Sequence, residues 1–337
     1  LSRLPAGVQL FSLFNENPTL LNLVAEIMGT APRLANALSH NAQMFDAVLS
    51  SDFFAPLPEK EQLLRHLHEA MVGARDYQDV LDIARRWANE QKFRAGVQIL
   101  RNTSSAADMG PDLSNLADTL ITRLIDDTTA QLEEQHGTIS GGSFAVVGLG
   151  KLGACEMTPE SDLDLVFVYD FDPEHPDSNG PRSLPASLYY TRLSQRLISA
   201  LTALTGEGRL YEVDMRLRPT GNTGAVASHL DGFVRYQRET AWTWEHMALT
   251  RARVVAAPPE FSERTKCALE DLLKIPRDRI QLKQEIDEMR KRVEKEHATT
   301  DPWNVKYVRG GLIDLQFLCQ YLQLAHAKRL PDLIGGG

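Results

Sequence analysis

The chain has 337 residues, a length that allows about two or three domains and a large buried core. Its composition, 43% hydrophobic and 24% charged, is that of an ordinary globular protein. A net charge of −9 makes the chain a poor candidate for binding nucleic acid along a broad surface, although it leaves room for a local basic groove.

No apolar run approaches the length of a membrane span and no signal-peptide pattern is present, so we expect no membrane partner. The cysteines, Cys155, Cys267 and Cys319, are odd in number and far apart, which excludes a disulfide framework and a four-thiolate zinc site. They favour a reducing compartment, and we expect a cytoplasmic protein. Because the chain starts at Leu1 and ends in glycines, we also expect it to be a piece of a longer protein.

Helical periodicity dominates residues 1–136, where Pro18, Pro32 and Pro56 separate the first apolar segments. The pattern predicts a helical bundle with helices at 19–28, 41–50, 59–73, 76–101 and about 111–136. The polar side chains at 85–94 are expected to form a solvated face rather than a site: Arg85, Arg86, Asn89, Glu90, Lys92 and Arg94.

The composition changes after Gly137 and Gly141. FAVVGLG (144–150) and DLVFVYD (164–170) have strand composition, 171–183 is a proline-rich loop, and 186–204 has helical periodicity. Apolar and polar residues then alternate along 209–219, which predicts a strand with one buried face. Helices are predicted again at 230–251, 259–273, 279–297 and 311–327.

These elements predict an α+β fold that is mostly helical, with a small mixed β-sheet flanked by helical bundles. We expect an N-terminal helical region at 1–138, a sheet-containing domain at 139–257, and a C-terminal helical region at 258–337 that the end of the chain cuts short.

The glycine turn at 148–153, GLGKLG, fits two kinds of site. It follows a strand and matches the dinucleotide-binding pattern, with Asp170 near the place of the ribose-binding acid. That fold, however, needs an apolar helix between the two strands, and the intervening ACEMTPESDL contains Pro159 and almost no apolar face. The phosphate-loop pattern is absent because Leu152 follows Lys151.

The second kind of site uses the acidic residues of the next strand. Asp162 and Asp164 project to the same side of a strand, where two carboxylates repel each other unless a cation lies between them. The alternating strand adds Asp214, and three carboxylates suit one or two magnesium ions. Arg216 and Arg218 share the face of Asp214 and would neutralise a triphosphate, while the glycine turn would hold phosphate oxygens. These features describe a nucleotidyltransferase site.

Three segments carry a family resemblance. GLGKLGACEMTPESDLDLVFVYD, LYEVDMRLRPTGNTGAV and FVRYQRETAWTWEHMALTRARVV closely resemble segments of the glutamine synthetase adenylyltransferases, which belong to the DNA polymerase β-like nucleotidyltransferases. Residues 89–100 and 303–324 extend the resemblance over most of the chain. Proteins of this family have two homologous halves: one attaches AMP from ATP to a tyrosine of glutamine synthetase, and the other removes it by phosphorolysis. The WTWEH segment resembles the C-terminal, adenylylating half.

The resemblance implies roles for individual residues. Asp162, Asp164 and Asp214 would be the catalytic carboxylates and the Mg²⁺ ligands, with Asp214 taking the proton from the tyrosine hydroxyl. The nucleotide ATP would be bound by the following residues: Gly150, Lys151, Ser161, Arg216 and Arg218. An exposed, inert lysine is almost as good an interpretation of Lys151. Glutamine synthetase is the expected protein substrate, with the PII signal protein as a partner and glutamine as an effector.

Some residues leave alternatives open. Gln316 stands where the family usually has an acid, so the chain is either a full adenylyltransferase or a catalytically weak regulatory module. The adenylyl-removing activity is a further alternative. Trp242 and Trp244 are expected mainly in packing, since aromatic residues at this spacing more often belong to a core than to a ligand site. Cys155 is expected to have no role in the chemistry.

Overall fold

The computed structural model describes residues 14, 15, 18–40, 48, 53–105 and 107–334. The chain forms two compact units: the first contains Leu1–Leu124, Cys155–Ser161 and Ala200–Glu212, and the second contains Ile125–Ala154, Asp162–Ser199 and Val213–Gly337. The helix predicted at 41–50 lies almost wholly outside the described residues. In the described part of the chain, every helix is too short or too polar to cross a membrane.

The first unit is built from helices. They are α1 (Pro18–Thr30), α2 (Pro32–His40), α3 (Lys60–Met71), α4 (Tyr77–Leu100) and the first part of α5 (Met109–His136). Proline occupies the first position of α1 and of α2, where its missing N–H has no intrahelical partner to lose. Asp76 caps α4 by accepting a hydrogen bond from the Asp79 N–H at 2.9 Å. Leu23 and Ile27 of α1 share a buried apolar cluster with Phe93 of α4.

The expectation of a solvated face on α4 is wrong for Arg85, whose side chain is fully buried in the first unit. Its guanidinium donates hydrogen bonds to the carbonyls of Leu81, Ala200 and Ala203, each at 2.8 Å, and of Gly208 at 3.0 Å. Carbonyl oxygens at the end of a helix lack intrahelical partners, and a cation is favourable there. Arg85 therefore fastens α4 to the segment at 200–208.

Lys92 also departs from the predicted solvated face. Its ammonium donates to the carbonyl of Leu210 at 2.9 Å and lies 3.7 Å from the centre of the Tyr211 ring. Burial lowers the pKa of Lys92 to about 8. Arg86, by contrast, is exposed and pairs with Glu207 at 3.3 Å.

The second unit is organised around a mixed sheet. Its strands are β1 (Ser143–Gly148), β2 (Leu163–Asp170), β3 (Val213–Asp214), β4 (Ala227–His229) and β5 (Arg253–Ala256). The order is β3-β2-β1-β5, with β4 also paired to β2. β1 is antiparallel to β2 and β5, whereas β3 and β4 are parallel to β2. The helices of this unit are α6 (Gly150–Gly153), α7 (Ala186–Thr202), α8 (Leu230–Glu239), α9 (Thr243–Leu249), α10 (Pro259–Leu273), α11 (Arg279–Glu296) and α12 (Leu312–His326). The unit also contains the end of α5, and it contains α7 only as far as Ser199.

Apolar side chains cover both faces of β1 and β2. On one face Val147 and Val166 belong to a buried cluster with Phe233 of α8 and Phe261 of α10. On the other, Tyr169 stacks on Tyr190 of α7 with ring centres 4.6 Å apart. Burial on both faces explains why these two strands are continuous apolar runs. The predicted fold class, α+β and mostly helical with a small mixed sheet, is confirmed.

The topology also decides between the two sites proposed for the glycine turn. A dinucleotide-binding unit joins two parallel strands through a helix. Here β1 and β2 are antiparallel, and the helix between them, α6, spans only Gly150–Gly153. The dinucleotide interpretation is therefore excluded. Asp170 instead lies 2.9 Å from the His229 ring nitrogen and accepts a hydrogen bond from Arg264 at 2.6 Å.

Two predicted elements are shorter than expected. The strand predicted at 209–219 is reduced to Val213–Asp214, because hydrogen-bonded turns follow at Met215–Arg218 and Arg218–Gly221 and β4 takes the next positions beside β2. The helix predicted at 230–251 is broken into α8 and α9, since the N–H groups of Thr240 and Ala241 both bond back to Tyr236 and end the first helix.

We predict that Arg85→Met lowers the free energy of unfolding of the first unit by at least about 2 kcal/mol, because it leaves several buried carbonyls without a donor. Arg86→Met on the same helix is the matched control and should change it by less than about 1 kcal/mol. Urea unfolding followed by circular dichroism measures both. Equal midpoints for the two variants would show that the buried guanidinium does not hold this unit together.

Candidate active site

Three carboxylates meet where β2 and β3 pair. Asp162 precedes β2, Asp164 is its second residue, and Asp214 of β3 stands directly opposite Asp164 in the parallel register. Neighbouring strands lie about 4.8 Å apart. The structure thus brings together the three acidic residues singled out from the sequence, all within the second unit.

The Asp164 carboxyl is the most strongly perturbed of the three. Burial, followed by the negative charges of Asp162 and Asp214, raises its pKa to about 6, while Arg216 and Arg251 act in the opposite direction. The ionised form of Asp164 is therefore costly in the protein by itself. A cation placed among these oxygens would reverse that cost.

Asp214 is held by its neighbour Arg216. The Arg216 guanidinium donates to Asp214 Oδ2 from Nη2 at 2.5 Å and from Nε at 2.8 Å, and the Arg216 backbone N–H donates to Oδ1 at 2.8 Å. These hydrogen bonds, chiefly those of the guanidinium, keep the pKa of Asp214 below its ordinary value. Asp214 is thus ionised and paired.

The donor set suits a hard divalent cation. Carboxylate oxygens are the ligands that Mg²⁺ prefers, and the mutual repulsion at Asp164 is what such an ion relieves. Within the described ranges, no three acidic, histidine or cysteine side chains are already placed to hold a metal ion. With Asp214 bound to Arg216, holding a metal there requires side chains to rearrange.

The glycine turn packs directly against this carboxylate cluster. The Leu149 N–H donates to the Asp164 carbonyl at 2.9 Å. Gly150 has φ +55°, and a Cβ there would collide with Asp164 Oδ2. A Cβ at Gly153 would likewise collide with the Arg251 carbonyl. The absence of side chains therefore lets the turn approach both Asp164 and the segment that carries Arg251.

The other predicted nucleotide-binding residues are placed differently. Lys151 is exposed on the glycine turn. Ser161 belongs to the first unit, where its hydroxyl accepts a hydrogen bond from the Thr158 N–H at 2.9 Å. The Arg218 guanidinium donates to the carbonyls of Met215 at 2.9 Å and Asn222 at 3.1 Å, so it braces the loop that follows β3.

The expected packing role of Trp242 and Trp244 is wrong. Their side chains are 69% and 36% exposed. The neighbouring Glu245, in contrast, is buried and accepts hydrogen bonds from the Trp242 N–H and the Tyr236 hydroxyl, both at 2.9 Å. Glu245 at the third position of α9 is the sequence signal for this capping arrangement.

A turn of glycines thus lies beside an Asp-x-Asp strand with a third carboxylate on the adjoining strand, which is the arrangement that the sequence predicts for a nucleotidyltransferase. A family model described as glutamate-ammonia ligase adenylyltransferase matches residues 21–268. The chain belongs to this family.

Relatives with curated names agree. The bifunctional glutamine synthetase adenylyltransferase/adenylyl-removing enzyme of Mesorhizobium japonicum is 46% identical over 320 residues. Proteins of the same name from Brucella suis and Bradyrhizobium sp. are 44% identical over 332 residues and 41% identical over 334 residues. These matches cover 95%, 98% and 99% of this chain but 32%, 34% and 34% of the relatives. The chain therefore spans about a third of their length.

We predict that Asp164→Asn stabilises the metal-free protein above pH 6. The pKa of an aspartate in the unfolded chain is about 3.9, whereas the pKa of Asp164 in the native protein is raised to about 6. Between these two values the native state binds more protons than the unfolded state, so the native protein loses stability as the pH rises. The loss of stability from ionising Asp164 is complete above pH 6 and absent below pH 4. Thermal unfolding in chelator, from about pH 4 to pH 8, should show the variant's advantage growing with pH.

Asp170→Asn, at the other end of β2, is the control, and it should change the melting temperature in the opposite direction. Burial acts against ionisation of Asp170, but hydrogen bonds from Arg264 and from the Phe171 N–H keep its pKa below the ordinary value. Its ionised form therefore stabilises the native state at neutral pH, and the variant should melt earlier there. An Asp164→Asn variant that also melts earlier at pH 7 would contradict the raised pKa of Asp164.

We also predict that Gly150→Ala lowers the melting temperature, by the equivalent of about 1–2 kcal/mol from the left-handed backbone alone. The new methyl group would add a collision with Asp164. Gly232→Ala on α8 is the control, because a Cβ there meets nothing within 4 Å and alanine favours a helix. Unchanged melting of Gly150→Ala would mean that the turn does not need its positive φ.

Proposed function

We propose that this protein transfers AMP from ATP to a tyrosine hydroxyl of glutamine synthetase and releases pyrophosphate. The observation that carries the proposal is the cluster of Asp162, Asp164 and Asp214 beside the glycine turn, in a chain of the adenylyltransferase family. The names of the relatives supply glutamine synthetase as the protein substrate. The WTWEH segment supports the adenylylating half rather than the removing half.

The reaction joins the tyrosine oxygen to the α-phosphorus of ATP and breaks the bond from that phosphorus to the pyrophosphate oxygen. Mg²⁺, held by Asp162, Asp164 and Asp214, would supply charge neutralisation for the triphosphate. On the family resemblance, Asp214 would take the proton from the tyrosine hydroxyl, and its carboxylate is ionised in this structure.

The chain's own groups would position the triphosphate. Three quarters of the Arg216 side chain is exposed, so its guanidinium is accessible to phosphate oxygens next to Asp214. Lys151, also exposed, would add a second positive charge on the glycine turn. Gly150 would let phosphate oxygens approach the Asp164 side without steric hindrance. We keep Ser161 and Arg218 as proposed nucleotide-binding residues on the family resemblance.

We further propose a cytoplasmic enzyme whose activity responds to the PII signal protein and to glutamine. These proposals rest on the family resemblance. The three-part division at 1–138, 139–257 and 258–337 likewise stays a prediction.

The test is transfer of radiolabel from α-labelled ATP to purified glutamine synthetase in the presence of Mg²⁺. We expect Asp162→Asn and Asp164→Asn each to reduce labelling at least about 100-fold, since each removes a carboxylate of the cluster. Asp172→Asn is the matched control, because Asp172 follows β2 and pairs with His175 at 2.7 Å. Labelling that survives at Asp162→Asn and Asp164→Asn would refute the site assignment.

The same preparation separates the alternatives. If adenylylated glutamine synthetase and orthophosphate yield ADP while the forward labelling is absent, the chain is the adenylyl-removing half. If neither reaction occurs but Gln316→Glu restores labelling, the chain is a catalytically weak module because of its residue at 316.

A further inference from the structure

A cleft of about 640 Å³ lies within the second unit. Its lining does not include Asp162, Asp164 or Asp214. One wall is formed by Thr240–Ala241 and α9, and the other by Ile275–Asp278 and α11. Trp242 and Trp244 line the first wall, and Glu285 and Glu288 line the second. Aromatic and acidic side chains therefore face one space.

Trp242 is exposed on a backbone segment that hydrogen bonds hold in place. Trp242 is 69% exposed, although burying an indole is among the largest apolar gains available to a chain. Its backbone N–H is fixed by the buried carboxylate of Glu245, which also accepts from the Tyr236 hydroxyl. Burying a carboxylate is costly unless it is hydrogen-bonded in this way. The backbone at Trp242 is thus fixed at the start of α9, which reduces the ordering needed there when a ligand binds.

Acidic side chains outnumber basic ones on the opposite wall, where Asp278, Glu285 and Glu288 lie with Arg277 and Arg292. Glu285 accepts hydrogen bonds from Thr243 and from Gln281 at 2.8 Å, which orients its carboxylate across the cleft towards α9. Glu288, one turn further along α11, is exposed. The Arg277 guanidinium donates to the carbonyls of Leu273 and Ile275 at 2.9 Å and of Leu272 at 3.1 Å, so its hydrogen bonds go to the backbone and not to these acids. Arg292 is the further positive side chain in the lining.

We propose that this cleft docks an extended segment of the protein substrate, in which a lysine or arginine side chain lies against the exposed indoles and the carboxylates of α11. A cation over an indole face is attracted by the ring and by nearby carboxylates alike. Tryptophans in partly enclosed clefts are the residues that most often carry binding energy between proteins. A triphosphate is a poor occupant, because the acids of α11 would repel it. The inference rests on the proposed function.

The cleft is connected to the catalytic centre by a short stretch of chain. α9 ends at Leu249, and Arg251 immediately beyond packs its carbonyl against Gly153 of the glycine turn. A substrate segment bound along α9 is therefore held by the same element that adjoins the carboxylates, which would favour presentation of a nearby tyrosine to them.

The test compares the full chain with its Trp242→Ala/Trp244→Ala double variant and with Glu288→Lys. In AMP transfer, we expect each to raise KM for glutamine synthetase about tenfold or more, with KM for ATP and kcat unchanged. Trp303→Ala is the matched control, because Trp303 is 87% exposed and lies outside the cleft lining. Equal melting temperatures establish that the variants fold. An unchanged KM for glutamine synthetase in both cleft variants overturns the inference while AMP transfer stands.

Direct binding separates this inference from the proposed function. Titration of glutamine synthetase into the protein without ATP should give a dissociation constant that the cleft variants weaken and Trp303→Ala does not. If binding follows this pattern but no AMP is transferred, docking stands and the proposed reaction fails. If the wild-type chain does not bind glutamine synthetase, or if sedimentation shows that the double variant only converts a dimer to a monomer, the inference is overturned.

Discussion

The parallel pairing of β3 with β2 is the interaction on which the site depends. Its register places Asp214 opposite Asp164, and Asp162 directly precedes β2. Burial of Asp164, followed by the like charges of Asp162 and Asp214, raises its pKa to about 6, so its ionised form is costly at this end of the sheet. The buried apolar faces of β1 and β2 hold the strands in place against the repulsion. Stability elsewhere in the unit thus offsets a locally unfavourable arrangement that a bound cation would relieve.

Much of this site was predictable because its chemistry follows short-range periodicity. Strand alternation predicted that Asp162, Asp164 and Asp214 would lie together, although Asp162 precedes β2 and Arg216 contacts Asp214 from the turn after β3. Helix positions in the first unit also followed from apolar spacing, with α3, α4 and α5 close to their predicted bounds. The strand predicted at 209–219 is mostly absent for a different reason. Alternation shows that a segment is able to form a strand, but β3 pairs with only two residues of β2, and β4 pairs with the next part of the same edge.

The buried polar residues were not predictable in the same way. Arg85 lies four residues after Leu81 and three before Ala88, within the buried stripe of α4, and that spacing was the available signal. Its carbonyl partners at Ala200, Ala203 and Gly208 are more than a hundred positions away and have no side-chain signature in the sequence. Trp242 was misplaced because aromatic residues at this spacing are usually buried, whereas the structure leaves its side chain 69% exposed next to the Glu245 cap.

The two short parallel strands beside β2 amount to one edge strand with an excursion in the middle. β3 leaves β2 after Asp164, and the chain rejoins the same edge opposite Phe167, running in the same direction. The points of departure and return are therefore only about 10 Å apart along β2. Lengthening a loop whose ends are already held costs little entropy. The segment at 215–226, which carries Arg216, can thus vary in length during evolution without shifting the carboxylates of the neighbouring strand out of register.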